Sequence, residues 1–486
     1  LPISSAKALE YAHRAGDLAL DALAPGDALR WYRTALDLVG DTDPTRRVTL
    51  QVSIGDALRQ AGDGSHRETL LAAGREAHAL GLGDEVIRAA LANYRGWASH
   101  AGAIDEERIA LLEAALEAAG DQRGATHAEL LSVLAAELAF TDDYERRRRL
   151  SDEALAIARE LDDPRTLSRV LSSRGNTLRV PETAAERDTH SVENMEITEA
   201  LDDKVARWAA VSDRLTVAIE IGDIEEVDRT LAEEIELADE LRQPYQQWIA
   251  LVHQSWRALV AAQLEESETF CSRALELGVE TGQPDAFVFY AAQLFLLRDA
   301  QGRLDELIPA MEQSVAENPN IAGFRAALTN SYTETGRFDD ARRLLAAEAA
   351  TNFASVPRDV VWGTTMSIFG EVAATLGAPD EAAIILEQLR PFTHLIAVDG
   401  AHVYAPIALA AGRLAWSLGR DEAAELLDTA EAIARTVDAP IWLARALAAQ
   451  SELHDDRSRA KEALAIVERI GDTAIGTRVR ALLERA

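Results

Sequence analysis

Helix-ending signals recur along this chain at a nearly constant interval, and that regularity limits the fold more than any single motif does. Gly40, Gly81 and Gly120 are separated by 41 and 39 residues, and Pro164, Pro244 and Pro284 by 80 and 40. Leu201-Asp202-Asp203 falls inside the longer gap, and later corners come at Pro319, Pro357 and Pro440. The period is therefore about 40 residues, a length that marks helical repeat arrays. A softer break halves each unit. Gly222-Asp223, Gly302-Arg303, Gly336-Arg337, Gly377-Ala378-Pro379 and Gly419-Arg420 are such breaks, followed by acidic starts such as Asp380-Glu381 and Asp421-Glu422. Glycine closes a helix in the left-handed conformation, and carboxylates favour the next N-terminus. Short corners of this kind make consecutive helices antiparallel neighbours.

Composition agrees with an all-α chain. Of the 486 residues 48% are hydrophobic but only 5% are aromatic, and Ala and Leu dominate the apolar set. Such residues favour helices, whereas sheets draw on β-branched and aromatic side chains. No strand alternation stands out. The reading is an α-solenoid of antiparallel helical hairpins, about 12 units in a right-handed superhelix, as one domain over 1–486. Bends are expected near 181–203, where Pro181-Glu182-Thr183 interrupts the helices, and near 391–402, where Pro391 and the corner Val398-Asp399-Gly400 fall.

The net charge of −33 argues against direct nucleic-acid binding, which needs a concentrated basic face. Lys7, Lys204 and Lys461 are the only lysines, and Cys271 the only cysteine, so no intrachain disulfide or thiolate metal cluster can form. The apolar stretch from Ala286 to Leu297 is too short for a bilayer, which needs about 20 residues. Together with the lack of a visible signal peptide, this makes the cytoplasm the expected compartment, with no membrane partner. The opening on Leu1 suggests a fragment of a longer protein.

Catalytic and cofactor motifs are missing from the sequence. None of the lysines follows a glycine, so there is no phosphate-cradling loop, and Gly81-Leu82-Gly83 lacks the rest of a dinucleotide fingerprint. There is no GxSxG or HExxH pattern, and ten histidines are scattered without ligand spacing. No cofactor or metal is expected. Arg146-Arg147-Arg148-Arg149 reads as a solvated face, since adjacent residues spread around a helix. Ten carboxylates between 220 and 240 read mostly as solvent-facing, and Cys271 as a small buried hydrophobe.

Finer spacing adds detail. Gly16 is followed twelve residues later by Ala28, then Tyr32 and Ala35; Gly370 leads likewise to Ala382, Leu386 and Leu389. Ala411 leads to Ala423, Leu427 and Ala430, and Thr329, with Tyr332, to Ala341 and Leu345. This small residue followed by a small–large–small trio resembles the tetratricopeptide repeat, in a variant longer than usual. The trio predicts that Tyr32 is a core plug, leaving Trp31 for the surface.

Several stretches are similar to a more particular region: ALAPGDALRWYRTALDLVG, GDALRQAG, RRRLSDEALAIARELDDPRTLSRVL, ADELRQPYQQW, AAQLFLLRDAQGRLDEL and FASVPRDVVWGTTMSIFGEVAATLGAPDEA. They resemble the tetratricopeptide-rich region that follows the ATPase module in large actinobacterial signalling ATPases, some with class III adenylate/guanylate cyclase domains or LuxR-type DNA-binding domains. The resemblance covers nearly the whole chain and implies a C-terminal sensor or scaffold that acts on an ATPase or cyclase domain of the same parent protein. Neither activity carries over, because the residues of those domains are absent here.

In arrays of that kind the first helix of each unit lines the concave face. Aromatic and arginine side chains there are the ones that carry binding energy. The candidates are Trp97, Arg174, Arg179, Arg214, Trp256, Gln293, Arg298 and Asn330. With them go Asn93, Tyr94, Asn176, Trp208, His253, Tyr290, Trp362 and Tyr404. The functional expectation is a non-catalytic module that binds a protein segment or small effector in its groove. The alternatives are a structural coupler that oligomerises its parent protein, and an enzyme built on an α-solenoid.

Overall fold

In a computed structural model the described residues are 5–40, 43–94, 102–120, 122–141, 143–470 and 474–484. They form helices throughout, apart from one short β-hairpin. The first half contains α1 (Ser5–Asp21), α2 (Pro25–Val39), α3 (Pro44–Gln60), α4 (His66–Ala79), α5 (Gly83–Ala92), α6 (Glu106–Ala119), α7 (Ala125–Glu137), α8 (Tyr144–Glu160), α9 (Pro164–Thr177), α10 (Ala184–Ala200), α11 (Lys204–Ile221) and α12 (Ile224–Leu241). The second contains α13 (Pro244–Val260), α14 (Leu264–Glu280), α15 (Ala286–Gln301), α16 (Ile308–Glu317), α17 (Ala322–Glu334), α18 (Phe338–Ala349), α19 (Trp362–Leu376) and α20 (Pro379–Leu389). Strands β1 (Ile396–Val398) and β2 (Val403–Pro406) follow, then α21 (Ile407–Ser417), α22 (Ala423–Thr436), α23 (Pro440–His454), α24 (Arg457–Ile470) and α25 (Ala474–Glu484). Among the described residues consecutive helices pair into eleven hairpins; α16 packs on α17 and not on α15, and α25 continues the array.

The corners use the chemistry expected of them. Asp43, Asp105, Asp143, Asp163, Asp203 and Asp223 each cap a helix by accepting a backbone N–H of its first turn. This satisfies donors that have no partner within the helix. Gly222 closes α11 in the left-handed conformation, with φ of 82°.

Inside a hairpin the small–large–small trio packs as predicted. Tyr32 is 1% exposed, and a methyl group at Gly16 would lie 2.4 Å from its Cε1. Ala28 and Ala35 are buried beside it, whereas Trp31 is 38% exposed. A similar fit recurs where Leu70 fills the space over Gly55 and Leu427 that over Gly412, one residue beyond the expected Ala411, whereas Gly370 faces Leu414, Ala410 and Ile385 instead of Leu386. Glycine at these points lets two helices approach with one large side chain as the wedge. Cys271 is buried in the same role, and burial pushes its thiol up to about 12.

The array is wound tightly. Gly62, after α3, abuts Pro244 at the start of α13, and Gly64 meets Gly282 before α15. Arg147 on α8 donates from Nη2 to the carbonyl of Arg358 at 2.9 Å, 211 residues away. Arg445 on α23 reaches back to Asp299 on α15 at 2.5 Å, and α25 packs on α15. Four to six hairpins therefore bring the chain back onto itself around a lumen.

Three departures from the sequence reading appear, and the first follows from this winding. Arg147 is buried in the contact between turns, while Arg146 and Arg148 pair with Glu113 and Glu186 as a solvated face would. Among the acidic residues from 220 to 240, Glu220 is held by Arg187 at 2.6 and 2.8 Å and Glu234 lies 2.8 Å from His253, all four side chains buried. The corner at Val398-Asp399-Gly400 is the third departure. It is the tip of the antiparallel pair β1–β2, whose residues Leu395–Ala397 and Val403–Ala405 are buried.

Candidate functional site

The hairpin β1–β2 projects into the lumen and is fixed there by side chains from several turns. Gln293 on α15 donates from Nε2 to the carbonyl oxygens of Val252 and Ala401, 2.9 Å in each case. Asp399 accepts from the backbone N–H groups of Ala401 and His402 at 3.1 and 3.0 Å, and from Thr364 Oγ1 at 3.3 Å. Gly400 has φ of 88° and sits so close to Arg179 that a methyl group there would lie 2.9 Å from Nη1. Only glycine meets both demands.

The hairpin divides the lumen into two chambers. The first has a volume of about 790 Å³. Its wall is built from three helix stripes at i, i+4 and i+8, the spacing that puts side chains on one face. These are Ser168, Ser172 and Asn176 on α9; Trp208, Ser212 and Thr216 on α11; and Tyr245, Ile249 and His253 on α13. An aromatic row runs along one side, with ring centroids 5.8 Å apart for Trp208–Tyr245, 6.0 Å for Tyr245–Trp248 and 5.0 Å for Trp248–Phe289.

Buried charge gathers at the end of this chamber nearest the hairpin. Arg179 donates from Nη2 to Asn176 Oδ1 at 2.8 Å and to Thr216 Oγ1 at 3.1 Å, and lies 3.9 Å from Asp213 Oδ1. Burial pushes the Asp213 carboxyl up to about 6, against the pull of Arg179, Arg187 and Arg214. A titratable group so displaced within a cleft is the kind that binding sites collect. Gly175 makes room for it, since a methyl group there would lie 2.2 Å from Asp213 Oδ1.

The second chamber, of about 1020 Å³, lies across the hairpin between α15, α17, α18 and α19. Beyond it a polar ring of first helices lines the C-terminal part of the lumen. Arg413 pairs with Glu371 and with Thr375 Oγ1, and Arg478 with Glu452. Glu334 is exposed yet hemmed in by protein. Its carboxyl is pushed up by that surrounding and by Asp299, and pulled down by Arg445, Arg413 and Arg478.

Of the residues singled out in the sequence, Arg179 lines the first chamber and Gln293 holds the hairpin. Arg174 ties α9 to Ser151, Asp152 and Glu186, and Arg214 ties α11 to Asp188 and Glu226. Trp256 is buried against the His253 ring, Arg298 pairs with Glu268 at 2.7 Å, and Asn330 is buried on α17. Trp97 lies outside the described residues. Sequence reasoning missed Asp213 and the hairpin tip, Asp399 to His402. Among the described residues no group of three or more His, Cys, Asp or Glu side chains could hold a metal ion, and no helix is long and apolar enough to cross a membrane.

No protein-family model matches the chain. No curated protein matches it either. Similar solved structures include a signal transduction ATPase with numerous domains that carries a tetratricopeptide repeat sensor, from Pyrococcus horikoshii, at 13% identity and a TM-score of 0.40. The alignment takes in 88% of this chain and 55% of that one, so the chain spans about half the length of that protein. The Cut9–Hcn1 hetero-tetramer of the APC/C is similar at 13% identity and a TM-score of 0.43, over 98% of this chain and 94% of that one. Yeast Tom70 is similar at 15% identity and a TM-score of 0.33, over 99% and 96%. All three TM-scores lie below 0.5, and the fold assignment rests on the chain's own geometry. With its own hairpins and packing trios in view, the chain is an all-α helical-repeat solenoid of tetratricopeptide-like units.

Proposed function

We propose that this chain is a non-catalytic sensor module that takes a small effector or a protein segment into the first chamber and passes the change to an ATPase or cyclase domain of its parent protein. The observation that carries this reading is the enclosed lumen, where serines, Asn176 and Arg179 face a row of aromatic rings across a chamber of about 790 Å³. That is the size and mixture of a ligand pocket: a mostly apolar wall with a few placed polar groups. Each hairpin touches mainly its neighbours, so a ligand that prefers one curvature shifts the whole array by that preference.

The test is native mass spectrometry of the chain isolated from its own cells, beside the variants Ala209→Trp and Ser212→Trp, which fill the chamber. A co-purifying molecule present in the wild type and lost in both variants supports the reading. Multiple-turnover hydrolysis or cyclisation of nucleotide by the purified chain, abolished by a point substitution in it, overturns it.

One observation favours a second reading, that of a structural coupler. The first described hairpin, α1–α2, exposes Tyr11, Leu18, Leu23, Trp31 and Leu38. An apolar face of this kind marks an interaction surface, and a second copy of the chain would cover it. Light scattering across concentration separates the two, because the coupler forms a dimer that Leu18→Glu dissociates.

A further inference from the structure

We propose that the second chamber is a binding site for a small, uncharged, predominantly hydrocarbon molecule, separate from the first chamber. The inference goes beyond the sensor reading and does not rest on it.

The two chambers are lined by corresponding helix faces but differ in chemistry. Where α9 and α11 present Ser172 and Ser212, α15 presents Val288 and Ala292, and α17 presents Phe324 and Ala327. These four are only half-buried, and of them only Ala327 packs against the main apolar cluster. Leaving apolar surface against water costs about 25 cal/mol per Å². A lumen that held only water would carry serines here as well.

Charge narrows the occupant. Of the carboxylates on the wall, Glu317 is exposed and accepts from Gln313 Nε2 at 2.8 Å, and the inner three are engaged. Glu348 holds Arg325 and accepts from Ser355 Oγ at 2.5 Å. Asp399 takes two backbone N–H groups of its own hairpin, and Asp359 accepts the N–H of Val361 at 3.0 Å, with Arg147 as its electrostatic neighbour. Arg325 is spent on Glu348. A charged headgroup would enter a low-dielectric space without a partner, which is costly. An uncharged molecule meets no such penalty.

Enclosure narrows it further. The first turn of the superhelix closes over the chamber, where Gly102 packs so tightly on Ile321 that a methyl group would lie 3.0 Å from its Cδ1. Phe140 and Ile104 complete that roof. A volume of about 1020 Å³ is at the upper end for small-molecule pockets, roughly 300–1,000 Å³. A docked helix, about 10 Å across, would need the two turns to part.

The experiment titrates the full chain with the uncharged solvatochromic dye Nile red and displaces it with decan-1-ol or decanoate. Ala291→Trp and Ala354→Trp fill the chamber from exposed alanines on opposite walls, and Ala209→Trp serves as a control in the first chamber. The expected result is saturable one-to-one binding with a blue shift, weakened about tenfold or more by each filling variant and unchanged in the control. Decan-1-ol should displace the dye at least about tenfold better than decanoate. In the wild type, hydrogen exchange under saturating decan-1-ol should slow at 288–295 and 322–327 and stay unchanged at 168–176, a readout that needs no variant. Absence of saturable binding, equal displacement by decanoate, or protection at 168–176 instead would overturn the proposal. Failure here leaves the first chamber's effector untouched, and failure there leaves this site untouched.

Discussion

Gln293 and Ala401 are 108 residues apart in the chain, yet Gln293 Nε2 donates to the Ala401 carbonyl at 2.9 Å. The same amide also serves the carbonyl of Val252, so one side chain joins α13, α15 and the hairpin. Replacing it by Ala leaves the half-buried Ala401 carbonyl without this donor, at about 1–3 kcal/mol before relaxation or water entry, while the Val252 carbonyl keeps its bond within α13. Gln293→Ala should lose about 2 kcal/mol in urea unfolding. Its amide hydrogens at 399–402 should exchange faster in native buffer, and unchanged exchange there would show that the hairpin is held by other contacts.

Asp213 makes stability depend on pH in a stated direction. Its carboxyl rises from 3.8 to about 6 on folding, so the group favours the fold fully below pH 3.8 and loses that contribution as pH climbs through 6. A shift of this size corresponds to roughly 3 kcal/mol. The side chain faces Arg179, Arg187, Arg214 and Glu220, and the first three oppose the shift. In Asp213→Asn the term is gone. The unfolding free energy of the variant relative to the wild type should therefore rise by roughly 2–3 kcal/mol between pH 4 and pH 7. A flat difference would mean that Asp213 titrates normally.

Much of this architecture is legible in the sequence, for reasons that can be named. The period of the corners reports a unit that cannot bury its own apolar face, and stacking neighbours is the available solution. Tyr32 reads as a plug because a small residue sits one turn before it and one after, and Gly16 faces it. Arg147 is less legible. A run of four arginines spreads around a helix, and sequence alone does not say that the inward direction meets another superhelical turn. The hairpin left a sharper trace. Asp399-Gly400 between the apolar runs Leu395–Val398 and Val403–Ala405 is a strong short-range hairpin signal, outweighed here by the helical pattern on both sides. Chamber residues escape for a plainer reason: Arg179 and Gly400 meet through winding, and winding has no local signature.

Glycines at helix crossings give a paired test of the packing trio. In Gly412→Ala the new methyl would lie 2.8 Å from Leu427 Cδ2 and 3.1 Å from its backbone nitrogen. Overpacking of this kind costs about 1–3 kcal/mol, beyond the helix propensity gained. Gly26→Ala, with nothing within 4 Å, should be neutral or slightly stabilising. Equal melting temperatures for the two variants would contradict the trio.

Cys271 should behave as a packing residue. Its thiol, pushed up to about 12 by burial, holds almost no thiolate at neutral pH. Ellman's reagent should react with it only as fast as the chain unfolds, and stoichiometrically in guanidinium. Rapid reaction in native buffer would place it at the surface.

The central claim is that the solenoid winds back on itself around a lumen. Spin labels at Asp63→Cys and Glu280→Cys in a Cys271→Ser background flank the meeting of Gly64 with Gly282. Pulsed dipolar spectroscopy should then give one narrow, short distance. An open array of some five hairpins, stacked at about 8–10 Å per hairpin, would separate these positions by roughly 40–50 Å. A long or broad distribution would contradict the closed lumen and both chambers with it.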